Sequence, residues 1–155
     1  MSRWLDRRTG REVWILDAER AADWPAEAPW SSKKFGLLFA ARHVVEIGAM
    51  ARRALDQGMA FAAAWGPGCA MMEDAFDEAI VAQRPDETEH DAVFTTSHAD
   101  ESLEEALDFF LEIDPARDHV PECGAWVILP LGTELRERFT RALARRGAVT
   151  SPPAP

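Results

Sequence analysis

At 155 residues, with 47% apolar residues and two cysteines, the chain is long enough to bury a core of its own and too poor in cysteine for a disulfide framework. Net charge is −10 and concentrated: residues 1–70 carry +2, residues 71–132 carry −15 and residues 133–155 carry +3. The acidic centre repels phosphate backbones, which argues against nucleic acid as a partner. No apolar run reaches the roughly 20 residues of a membrane helix and no signal peptide is read, so a cytoplasmic protein without membrane contact is expected.

Residues 1–33 read as a lead-in that packs on the domain, because Trp4, Trp14, Trp24 and Trp30 make it too apolar for a disordered segment. Residues 12–17 suit a short strand, and the prolines and serines of 24–32 suit a loop. From residue 34 to residue 147 strand and helix alternate. Apolar runs predict strands over 35–41, 59–65 and 125–131, and Thr-rich residues 91–96 predict another. Apolar spacings of three and four predict helices over 44–57, with Val44 on the inner face, over 70–83, over 102–114 and over 133–146. Ser102 and Glu105 form a capping-box pair, and Gly58 and Gly147 are natural stops. Residues 84–90 read as a polar loop, and the Pro-rich tail over 148–155 is expected to be mobile.

This pattern predicts a single three-layer α/β domain. Its mostly parallel four-stranded sheet has the flavodoxin-like order 2-1-3-4, with helices on both faces and room for an extra N-terminal edge strand. Ligands in such sheets bind beyond the carboxyl ends of the strands, where the strand order reverses. That reversal is expected between the first and third strands. The loops there carry Arg42, His43, Trp65, Thr96, Ser97 and Asp100 as candidate ligand-binding residues.

Cys69 follows a Gly-Pro-Gly turn and opens a helix, where the helix dipole favours a thiolate. His98 lies beyond the end of another strand and could serve it as a base, oriented by Asp100 or Asp74. Cys69 equally suits a packing role. The hydroxyls of Thr95, Thr96 and Ser97 could hold an anion, or serve only as strand and turn residues. Cys123 precedes its strand, so the geometry argues against a Cys69–Cys123 bond. Gly66-Pro67-Gly68 lacks phosphate-loop spacing, no nucleophile elbow is present, and the ends of the strands lack the acids of a receiver site. His43, His90, His98 and His119 are scattered, so neither a metal nor a cofactor is expected.

Glu73, Asp74, Asp77 and Glu78 share one helical stripe, and Asp100, Glu101, Glu104, Glu105, Asp108 and Glu112 repeat the pattern on the next helix. If the two helices are neighbours, they form one acidic surface suited to a basic protein partner. The expectation is therefore an interaction module, and the alternative is an enzyme or small-anion binder built on Cys69 and His98. Oligomeric state is not legible.

The segment FTTSHADESLEEALDFF at 94–110, with Trp65-Gly66, Cys69, Glu73-Asp74 and Asp77 before it, resembles a family of uncharacterised small bacterial α/β proteins over residues 60–115. That resemblance implies the fold and no activity. The small acidic build is also similar to barstar-type ribonuclease inhibitors, a likeness that no motif carries.

Overall fold

The computed structural model describes residues 1–85, 92–115 and 122–151. Among them the elements run β1 (Ser2–Asp6), β2 (Arg11–Ile15), β3 (Lys34–Ala40), α1 (Gly48–Asp56), β4 (Met59–Trp65), α2 (Cys69–Gln83), β5 (Phe94–His98), α3 (Leu103–Glu112), β6 (Cys123–Pro130), α4 (Thr133–Arg145) and β7 (Val149–Thr150). All the strands join one sheet in the order β5-β4-β3-β6-β2-β1-β7. Strands β2, β6, β3, β4 and β5 are parallel, and β1 is antiparallel to both of its neighbours.

The α/β class and the helices on both faces are as the sequence predicts, but the sheet is not. It is a mixed sheet of seven strands among the described residues, and its four predicted members stand in the order third, second, first, fourth. The path explains this. From β3 through β4 to β5 the chain steps one way, with α1 and α2 crossing on one face. Helix α3 then carries it back over the opposite face, and β6 pairs with the free side of β3. The neighbourhood of β3 and β4 is fixed at Gly36, where a Cβ would lie 2.2 Å from the Phe61 ring. The N-terminal strand is not an edge either: β2 lies between β6 and β1.

Alternation along the strands divides the core in two. Phe35, Leu37 and Phe39 face one layer with Met50, Ala54 and Leu55 of α1 and Met72, Phe76 and Ile80 of α2. Leu38 and Ala40 face the other, with Leu103, Leu107 and Phe110 of α3 and Leu135, Phe139 and Leu143 of α4. The lead-in extends the first layer: Trp24 stacks on Phe35 at 5.9 Å and Trp30 meets the same ring at 4.6 Å. Gln57 clasps this segment, accepting from Trp24 Nε1 at 2.7 Å and donating to the Pro25 and Ala26 carbonyls.

Two boundaries move. Helix α1 begins at Gly48, so Val44, expected on an inner face, sits in the preceding loop and is 51% exposed. Strand β5 begins at Phe94 and ends at His98, because pairing with β4 sets Trp65 opposite His98. Asp91, His90, His119, most of the loop expected at 84–90 and the last four residues of the tail lie outside the described residues.

Candidate functional site

With the observed order, the topological switch falls between β3 and β6 and not between β3 and β5. Arg42 follows β3 there and ion-pairs with Glu134 of α4 at 2.6 Å, closing one polar contact across the crevice. Thr133 donates to Glu19 at 3.3 Å beside it, and His43 is exposed.

The predicted residues that come together do so at the carboxyl ends of β4 and β5, on the face covered by α3 and α4. Residues two apart on a strand point the same way, so Thr96 and His98 share a side, and Trp65 is the cross-strand neighbour of His98. His98 Nδ1 lies 2.8 Å from Glu101 Oε2, and His98 Nε2 lies 3.0 Å from the Thr96 hydroxyl. An ionised carboxylate can only accept, so Nδ1 carries the proton in the neutral ring and Nε2 accepts from Thr96. The ring is 4% exposed and packs on Phe109 of α3, centre to centre 4.7 Å. Trp65 Nε1 donates to the Glu101 carbonyl at 2.9 Å, which fixes the turn that carries the carboxylate. The Arg138 guanidinium of α4 stands 5.5 Å from the Trp65 ring centre.

Glu101 as the partner of His98, and Arg138, are what sequence reasoning missed. The signal for Glu101 is its spacing of three from His98, hidden when the strand is ended at residue 96. Asp100 is exposed, and Asp74 belongs to the helix on the opposite face. Ser97 is a cross-strand neighbour of Ala64 and points away from the Thr96 side. The hydroxyls do not form an anion cradle: Thr95 donates to Asp77 Oδ1 at 2.6 Å, and Glu73 Oε1 is 3.5 Å away.

Cys69 is not joined to His98. It is the first residue of α2, buried in the layer of α1 and α2, while His98 faces α3 and has both ring nitrogens engaged. Cys123 opens β6 at the other end of the sheet and in the other layer, and both cysteines are free. Burial pushes the Cys123 thiol up to about 12, against the weaker pull of Arg11 and Lys34.

The acidic helices do not form one surface, because α2 and α3 cover opposite faces of the sheet. On α3 the charge is answered from within. Glu104 pairs with Arg145 at 2.8 Å, Asp108 and Glu112 pair with Arg146, and Glu105 closes the capping box, its carboxyl held below the usual range by the Ser102 backbone and side chain. On α2, Asp74, Asp77 and Glu78 are exposed and meet no cation among the described residues. They line a shallow groove with Val81 and Ala82, and Met71 and Val81 beside them are 62% and 68% exposed. No group of three metal-ligating side chains occurs among the described residues, and none of their helices is long and apolar enough to cross a membrane.

Residues 14–146 match the model of a family described as a domain of unknown function, DUF7684. No curated protein matches the chain, and no solved structure matches it. The resemblance read over residues 60–115 to an uncharacterised family thus extends over nearly the whole fold, with β1 and β7 outside the matched span.

Proposed function

Because the chain belongs to the DUF7684 family, whose description assigns no activity, we propose from its own residues that it is a protein-interaction module binding a basic partner through the outer face of α2. One observation carries this reading: Asp74, Asp77 and Glu78 are exposed without a cation among the described residues, while Glu104, Asp108 and Glu112 of α3 are paired with Arg145 and Arg146. Charge alone would suit a merely solvated face. Exposed Met71 and Val81 on the same face add apolar area, which a solvated helix has no use for and a docking helix does. The partner that fits is a segment with arginines or lysines flanking an apolar stripe.

The test is titration with a basic amphipathic helical peptide, followed by calorimetry. Binding is expected to weaken as salt rises, because exposed charge pairs are screened over about 10 Å at 0.1 M. It is expected to be lost in the Asp74→Lys/Asp77→Lys/Glu78→Lys variant and reduced in Met71→Ser/Val81→Ser, with helix content unchanged. Equal binding by the charge-reversed variant would refute the reading.

A further inference from the structure

We propose that Thr96, His98 and Glu101 form a hydroxyl-activating relay, with Thr96 a nucleophile toward apolar acyl esters. The contacts run in the order that such a relay needs: hydroxyl to Nε2 at 3.0 Å, and Nδ1 to carboxylate at 2.8 Å. Each member is held by something other than the relay. Strand β5 sets Thr96 and His98 on one side, the Phe109 ring packs against the imidazole, and Trp65 holds the Glu101 carbonyl. The imidazole is 4% exposed, so a reagent cannot reach it directly, but the half-buried Thr96 lies on an outer strand of the sheet and is the open end of the chain of contacts. Phe94 and Phe109 lie on the Thr96 side, Phe109 with 39% of its surface exposed, so the wall beside the hydroxyl is apolar. That wall gives the substrate class: an ester with a small apolar or aromatic acyl group.

In the step itself, Thr96 Oγ bonds to the acyl carbon as its proton passes to His98 Nε2. The ester C–O bond then breaks, and the leaving alkoxide takes that proton and departs as the alcohol. Glu101 is a positioning residue: it holds the tautomer and stabilises the imidazolium that forms. This site and the α2 face lie on opposite sides of the sheet, so either reading can fail alone.

The test treats the full chain with p-nitrophenyl acetate and, separately, with a fluorophosphonate, and locates the adduct by peptide mass spectrometry. An adduct on Thr96 is expected, retained in Thr96→Ser and absent in Thr96→Val. His98→Gln is expected to slow its formation ~10²–10⁴-fold, the usual contribution of a positioned base. Glu101→Gln is expected to slow the labelling, and Glu101→Asp to restore part of the rate. No adduct on the unaltered chain, an adduct elsewhere, or equal labelling of Thr96→Val would overturn the proposal. Should His98→Gln fail to fold, the comparison of Thr96→Val with Thr96→Ser still decides it.

Discussion

Arg146 gathers carboxylates from two other elements. Its side chain is 3% exposed and binds Asp6 of β1 at 3.3 Å, Glu112 of α3 at 3.1 Å, and Asp108 of α3. Burial alone would raise the Asp6 carboxyl. Hydrogen bonds from Thr9 and Arg146, with the guanidinium charge, outweigh it and hold the group below its ordinary 3.8. A depressed acid contributes stability that is present above its unfolded value and lost as pH falls through its folded value. The urea midpoint is therefore expected to hold at neutral pH and to decline as pH drops below 3.8. Arg146→Met leaves Asp6 charged and buried without its cation, which costs about 3–5 kcal/mol. Urea unfolding at neutral pH checks this, and an equal loss in the Asp6→Asn/Arg146→Met double variant would count against the pair as the cause. None of this network is legible in the sequence, because Asp6 and Arg146 are 140 positions apart. The His98–Glu101 pair is legible, being three positions apart, once the strand is allowed to reach residue 98.

At the scale of elements, local chemistry carried most of the reading. The Ser102–Glu105 capping box is formed as its spacing predicts: the Glu105 amide donates to Ser102 Oγ at 3.1 Å, and the Ser102 amide donates to Glu105 at 2.7 Å. Ser102→Ala is expected to cost ~1 kcal/mol, seen as a lowered melting temperature. Strand β4 and helix α4 also sit where apolar pattern and glycine stops put them. The start of α1 was not legible, because Val44 continues the helical spacing while its position is set by the next loop. Gly68 has φ of 75°, and a Cβ there would lie 2.1 Å from Val44 Cγ2, so the two turns are fitted to each other. The acids of α2 and α3 look alike in sequence. They differ because Arg145 at the end of α4 and Arg146 just past it reach one helix and not the other.

Across the whole molecule, strand order was the feature that pattern could not supply. Strands buried on both faces all read as apolar runs, and an apolar run does not name its neighbours. The order places β6 in the middle with β3 beside it, nearly every residue of both buried, and leaves β5 and β7 at the edges. Amide exchange is expected to be slowest in β3 and β6 and fastest in β5 and β7. Comparable protection in β5 would point to an edge paired in solution. The chain has six tryptophans and no tyrosine, so the indole bands of its near-ultraviolet spectrum are free of phenol overlap. Trp14, Trp24 and Trp30 form a chain of edge contacts, with centres 6.5 and 6.0 Å apart, on the segment that Gln57 clasps, while Trp65 stands alone beside His98 under Arg138. Coupled transitions in the near-ultraviolet circular dichroism thus report the seating of the lead-in, and the emission lost in Trp65→Phe reports the mouth of the Thr96 site: two optical gauges on one unlabelled chain.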